Sequence, residues 1–221
     1  MLKYLDDTLD KQIAQTYSMD LGGEGCFVNA IVARMVLGEC SRREQRLRQS
    51  ALVRHLLASG LENVLGREQL EHCELDKLPS GKPVLYSSRQ PVLPAISLSH
   101  SHDFIACAWS GGSEVGVDIE SMQPRDWGAV QDAFLHPEEL AWIIDVPEAE
   151  RALHYYCLWC LKEAFYKVLP PGEEVNMTEF CFSREHGLVD VPPVLYPLSG
   201  WKTYVQELAS EKVVMAVVWR I

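Results

Sequence analysis

Apolar and polar positions alternate most regularly just past the middle of the chain. There Val115, Val117 and Ile119 interleave with Gly116, Asp118 and Glu120. Successive strand side chains point to opposite faces, so this pattern predicts a strand with one apolar face and one face carrying a glycine and two carboxylates. Upstream, Ile96 and Leu98 alternate with Ser97 and Ser99, and residues 104–109 form an apolar run. These predict two short strands joined by the turn-like Ser99-His100-Ser101-His102-Asp103. Elsewhere the period is helical. Leu47, Leu52 and Leu56 predict a helix from about residue 41 to 59, with Ser41 and Glu44 spaced for a capping box and Gly60 as its stop. Pro137-Glu138-Glu139 opens another helix. A longer one is expected over residues 148–169, with Cys157, Leu161, Ala164, Phe165 and Val168 as its apolar stripe and Lys162, Glu163, Tyr166 and Lys167 off it.

The remaining stretches complete an element order that runs strands, helix, strands in each half. Residues 27–37 follow the turn-rich Gly22-Gly23-Glu24-Gly25 and predict a strand or two. Residues 66–95 predict a short helix and then loop, broken by Pro79, Gly81, Pro83, Pro91 and Pro94. Strand-like patterns recur around residues 180–182, 203–207 and 213–219. Gly111-Gly112 breaks the chain near its middle. The expected class is therefore α+β, with residues 1–110 and 111–221 as two halves, although no internal sequence repeat accompanies that order.

Composition narrows the functional classes. The 221 residues are 48% apolar and 23% charged, the proportions of an ordinary globular protein. No apolar run reaches membrane-spanning length, and the start MLKYLDDTLDKQ lacks the pattern of a signal peptide. The net charge of -11 counts against nucleic acid and anionic membrane surfaces as partners. Seven cysteines at irregular spacing suggest reduced thiols and a cytoplasmic setting. Cys157 and Cys160 form a C-x-x-C inside the long predicted helix, without a second ligand pair for zinc.

Three local patterns carry candidate chemistry. Asp118 and Glu120 on one strand face repel unless a cation lies between them, and carboxylate oxygens suit Mg²⁺; solvated acids on an exposed edge are the alternative. Gly116 would leave that face open to a ligand. Glu163 and Lys167 stand i,i+4 on the long helix, either as a surface ion pair or as a metal carboxylate beside a phosphate-binding ammonium. Ser99-His100-Ser101 is either an ordinary polar turn or a phosphate grip. His100-x-His102 lacks a third ligand, and no nucleophile elbow surrounds either serine.

The order and spacing of these patterns resemble the 4′-phosphopantetheinyl transferases of the larger surfactin-synthetase-activator and enterobactin type. The hallmark is carried by Val115-Gly116-Val117-Asp118 and, about 40 residues later, Trp159-Cys160-Leu161-Lys162-Glu163-Ala164-Phe165-Tyr166-Lys167, with Ser99-His100-Ser101 and Gly81-Lys82-Pro83 upstream. The resemblance implies a single chain of two similar α+β halves with the active site between them. It implies transfer of phosphopantetheine from coenzyme A to a serine of an apo acyl or peptidyl carrier protein, releasing 3′,5′-ADP, by a cytoplasmic monomer. Asp118, Glu120 and Glu163 would hold Mg²⁺, or Mn²⁺. Lys167 and Lys162 would pair with phosphate oxygens, and Ser99 and His100 would grip the 3′-phosphate. Lys82 would lie near the nucleotide, and Arg46 stands in a region that serves the adenine and 3′-phosphate. Glu163 would take the serine's proton, directly or through water. Two departures stand out: Gln49-Ser50 occupies positions that usually carry a Gly-Arg-like pair, and Cys160 stands where Ser or Thr is commoner. The competing class is a metal-dependent phosphohydrolase or nucleotidyl enzyme using the same carboxylates. Coenzyme A and carriers are both acidic, so the -11 must be offset locally by Lys82, His100, Lys162, Lys167 and the rim Arg42, Arg43, Arg46, Arg48 and Arg54. A carrier dock with substantial apolar contact is expected.

Overall fold

A computed structural model describes residues 7–22, 27–36, 38, 40–89, 92–111 and 114–221. The predicted turn at Gly22-Gly23-Glu24-Gly25 therefore falls largely outside the described residues, as do Leu37, Pro91 and Gly112. After the short helix α1 (Asp7–Asp10), the first half runs β1 (Ile13–Asp20), β2 (Val28–Met35), α2 (Arg42–Leu65), α3 (Arg67–Leu70), β3 (Cys73–Lys77), β4 (Pro83–Ser87), β5 (Ala95–Ser101) and β6 (Phe104–Ser110). The second half runs β7 (Val115–Ser121), α4 (Pro137–Ile143), α5 (Glu148–Tyr166), β8 (Cys181–Phe182), β9 (Leu188–Asp190), β10 (Trp201–Leu208) and β11 (Val213–Arg220). The fold is mixed α+β with antiparallel sheets. No helix among the described residues is long and apolar enough to cross a membrane.

The two halves share a topology. In the first, β2 leads to a long helix, a small β3–β4 hairpin, then β5 and β6, and the sheet order is β1-β2-β6-β5. In the second, β7 leads to α5, the small β8–β9 pair, then β10 and β11, ordered β10-β11-β7. In each sheet the last strand lies between the first and the penultimate, all pairings being antiparallel. β1 is the addition on the first sheet's edge.

Strand alternation builds the core. Ala106 and Ala108 of β6 join Val28, Ala30 and Val32 of β2, Val117 and Ile119 of β7, and Met215 and Val217 of β11 in one apolar cluster between the sheets. The other faces of the strands receive the helices. Ile105, Cys107 and Trp109 pack under α2, while Val214, Ala216 and Val218 pack under α5. The order of layers is thus helix, sheet, sheet, helix.

The structure shifts several expected boundaries. Ser41 forms the predicted capping box: its hydroxyl accepts from the Glu44 N–H and its own N–H donates to Glu44 Oε2. The helix passes through Gly60, however, and stops at Gly66, whose φ of 75° suits only a glycine well. Gly60 is a packing position: a Cβ there would lie 2.3 Å from the Trp109 ring. Leu47, counted in the predicted stripe, is 64% exposed. The segment expected as loop after residue 70 forms the β3–β4 hairpin, with Pro83 at the start of its strand. α5 ends at Tyr166, three residues short of the expected stop.

Candidate functional site

Asp118 and Glu120 share a face of β7 as the alternation predicts, but that face is not open at Gly116. A Cβ on Gly116 would lie 2.0 Å from the Ala164 carbonyl oxygen. The absent side chain admits the backbone of α5, not a ligand, and the close crossing brings Glu163 into the field of both β7 carboxylates. Lys167, just past the end of α5, returns to β7. Its Nζ donates to the Val117 carbonyl at 2.7 Å and to Asp118 Oδ1 at 2.8 Å. Asp118 is buried, and its Oδ1 also accepts from the Ser99 hydroxyl at 2.8 Å. Its Oδ2 is buried with no hydrogen-bond partner among the described residues. Glu120 accepts from the Ser101 hydroxyl at 2.7 Å through Oε2.

Asp118 and Glu163 thus face the Lys167 ammonium, and Glu120 lies in the field of the Arg125 guanidinium. Burial, with added repulsion from Asp118, raises the Glu120 and Glu163 carboxyls above the usual range, although Ser101 opposes this at Glu120 and Lys167 opposes it at Glu163. A hard divalent cation fits this excess of negative charge and the unpartnered Asp118 oxygen. The carboxylates are held apart by their own partners, Lys167 and Ser99 on Asp118 and Ser101 on Glu120. Among the described residues, the group of three His, Cys, Asp or Glu ligand atoms lying within 4.8 Å of one another is a different one, His136, Glu138 and Cys181. There His136 Nδ1 accepts the Glu138 N–H as the cap of α4, and burial with nearby Glu139 and Glu138 pushes the Cys181 thiol up to about 12.

Beside the carboxylates lies a cavity of about 310 Å³ whose wall carries Arg54, Lys77, Ser99, His100 and Lys167. His100 is exposed at its edge; desolvation and the nearby Lys167 and Arg46 hold its imidazole below the ordinary value. Lys82 lines an adjoining cavity of about 490 Å³ with Tyr166 and, again, Lys167. Basic side chains from α2, the β3–β4 hairpin, β5 and the end of α5 therefore converge in a chain whose total charge is -11. Arg54 is expected from the sequence only as part of a basic rim and Lys77 not at all, since only the α2 and hairpin packing brings them to this wall.

Lys162 corrects an expectation. It does not face phosphate but is fully buried on the opposite side of α5. Its Nζ pairs with the buried Glu139 at 2.7 Å and donates to the Met177 and Phe180 carbonyls at 2.9 and 2.7 Å. The long polar side chain lies off the apolar stripe yet enters the core, because Glu139 and two carbonyls supply every acceptor its ammonium needs. Cys157 and Cys160 are both buried in α5. Burial raises the Cys157 thiol to about 12 and the Cys160 thiol well above its usual value, so both behave as small apolar side chains. The six cysteines among the described residues are all unpaired.

The second half of the chain has known counterparts. Residues 114–218 match the model of the 4′-phosphopantetheinyl transferase superfamily. The chain is similar to the 4′-phosphopantetheinyl transferase psf-1 of Bacillus pumilus, 32% identical over 101 residues, covering 46% of this chain and 41% of that one. It is similar to the 4′-phosphopantetheinyl transferase AcpT of Salmonella typhi, 38% identical over 89 residues, covering 39% and 44%. A solved apo-ACPS structure from Chronobacterium ammoiniagenes overlaps 48% of this chain and 94% of that one at 18% identity, with a TM-score of 0.36. The matches to psf-1 and AcpT thus span less than half the length of each relative. The stretch that resembles the 4′-phosphopantetheinyl transferase superfamily, residues 114–218, is thus the part of the chain that holds β7, α5 and the Asp118, Glu120 and Glu163 carboxylates.

Proposed function

We propose that this chain transfers the 4′-phosphopantetheine arm of coenzyme A to a serine of an apo acyl or peptidyl carrier protein, releasing 3′,5′-ADP. The observation that carries the proposal is the buried Asp118. One of its oxygens is held by Lys167 and Ser99, the other has no partner among the described residues, and Glu163 lies in the field of both Asp118 and Glu120. Asp118, Glu120 and Glu163 would hold Mg²⁺ or Mn²⁺. Such a cation, when bound, neutralises the charge that develops on a breaking phosphoanhydride.

The chain's own groups do the remaining work. Lys167 stands between Asp118 and the cavity, so its ammonium pairs with an incoming phosphate without leaving the carboxylate field. His100, with Arg46 beside it and Arg54 and Lys77 on the same wall, grips the 3′-phosphate; Lys82 serves from the adjoining cavity. Ser99 contributes by orienting Asp118 as well as by lining the cavity. The nucleophile comes from the carrier, and Glu163, kept basic by burial and by Asp118, accepts its proton. The site lies where β5 of one half meets β7 of the other, which supports dividing the chain near residue 111 into halves that build it jointly.

Product analysis tests this function against hydrolysis of a phosphorylated nucleotide. With coenzyme A and Mg²⁺, 3′,5′-ADP should appear only when an apo carrier is added, and dephospho-coenzyme A should be a poor donor. Release at the same rate without a carrier would overturn the transferase assignment in favour of a phosphohydrolase.

A further inference from the structure

The seam between the two sheets is made by side chains, not by strand pairing. β5 and β7 are each at an edge of their own sheet. Between them, three hydroxyls of β5 take backbone donors of β7: Ser97 from Val117 N–H at 3.0 Å, Ser99 from Ile119 N–H at 3.4 Å, and Ser101 from Ser121 N–H at 3.1 Å. The period of two puts all three hydroxyls on the face that meets β7. All three serines are buried. A hydroxyl has one proton to donate as well as lone pairs to accept with. Ser99 directs its proton to Asp118, and Ser101 directs its proton to Glu120 Oε2 at 2.7 Å. Ser97 makes the same backbone contact without touching a carboxylate.

Resting on the divalent-cation reading of Asp118, Glu120 and Glu163, we propose that Ser101 is a positioning residue for that site. Its hydroxyl holds the Glu120 carboxylate beside Asp118 and ties its orientation to the seam between the halves. Glu120 needs such a support more than Asp118 does. It is only partly buried and carries one more rotatable bond; Arg125 and Trp159 also act on it, but among the described residues no ammonium is hydrogen-bonded to it as Lys167 is to Asp118. Partners of this kind orient metal-ligating carboxylates, and their loss costs metal affinity.

The test is Mn²⁺ titration of the full chain, followed by electron paramagnetic resonance of the free ion, beside urea unfolding of each variant. Ser101→Ala should weaken Mn²⁺ binding about tenfold, as expected for loss of a ligand's orienting partner. Ser101→Thr, which restores the hydroxyl, should recover most of the affinity. Ser97→Ala removes the same backbone contact and should lower stability while leaving Mn²⁺ affinity within twofold of the wild type. If Ser101→Ala binds Mn²⁺ like the wild type, or if Ser97→Ala weakens it equally, the positioning role is overturned and the seam is merely structural. If Asp118→Asn binds Mn²⁺ as well as the wild type does, the cation site itself is misassigned and the inference falls with it.

Discussion

Lys162→Met separates a structural lysine from a phosphate-binding one. In the folded chain the Lys162 ammonium has three acceptors and no exposed surface: Glu139 Oε2 at 2.7 Å, the Met177 carbonyl at 2.9 Å and the Phe180 carbonyl at 2.7 Å. Methionine is unbranched and one heavy atom shorter, and it removes the charge and all three bonds. Glu139 is then left buried with two backbone donors, the His136 N–H at 2.8 Å and the Phe182 N–H at 2.9 Å. Breaking a buried pair by removing one partner costs about 3–5 kcal/mol. The two remaining donors keep Glu139 partly solvated, which points to the lower part of that range. Neutralising the survivor in Lys162→Met/Glu139→Gln removes the uncompensated charge and should restore about half of the loss, since buried pairs contribute little net stability over neutral replacements. Urea unfolding of the two variants and the wild type measures both quantities. Coenzyme A affinity of folded Lys162→Met should stay within about threefold of the wild type, because no change is made in the cavity. A variant as stable as the wild type, or one that keeps its stability and loses coenzyme A affinity more than tenfold, would refute this placement of Lys162.

Four further outcomes are expected. Gly116→Ala drives a Cβ to 2.0 Å from the Ala164 carbonyl, so β7 and α5 must separate; overpacking of this kind costs about 1–3 kcal/mol or more, seen as a lowered thermal midpoint, and transfer should fall with it. Gly60→Ala meets the Trp109 ring at 2.3 Å and should destabilise the first half in the same assay, although alanine itself favours helix by about 1 kcal/mol. Asp118→Asn should abolish Mn²⁺ binding and transfer while leaving the circular dichroism spectrum unchanged, and a chelator should stop the wild-type reaction reversibly. His100 is held neutral to a lower pH than usual by desolvation, Lys167 and Arg46. A bound phosphate favours the charged ring, so coenzyme A affinity should rise as pH falls from the bound ring's value to the lowered value of the free ring, below the ordinary histidine range, by at most tenfold per pH unit for one proton. A His100→Asn variant should lose that slope in calorimetric titrations.

What was legible in the sequence follows from how local each signal is. The alternation of Val115, Val117 and Ile119 with Gly116, Asp118 and Glu120 needs only the period of a strand, and the structure places both carboxylates on one face. The Ser41 capping box is likewise contained within four residues. Gly60 and Gly116 were misread because the neighbours that require a glycine, Trp109 and Ala164, lie far along the chain. A glycine at the end of a helical pattern looks like a stop until the tryptophan that crosses it is known. Lys162 was misplaced for a related reason. Polarity off an apolar stripe signals solvent, and only the fold brings Glu139 and the residues 177–180 turn to meet the ammonium. The β3–β4 hairpin escaped because its prolines and glycine read as loop, whereas Pro83 opens a strand that pairs on one side only. The run of arginines marks Arg54 as a rim residue, but only tertiary packing brings Lys77 to the cavity beside it.

The most direct measurement is the mass of an apo carrier protein after incubation with this chain, coenzyme A and Mg²⁺. The carrier should gain one phosphopantetheine, the gain should vanish with Asp118→Asn, and replacing the acceptor serine of the carrier should prevent it. An unchanged mass across fatty-acid, polyketide and peptide-synthetase carriers, under conditions where a control transferase loads each of them, would contradict the proposed transfer.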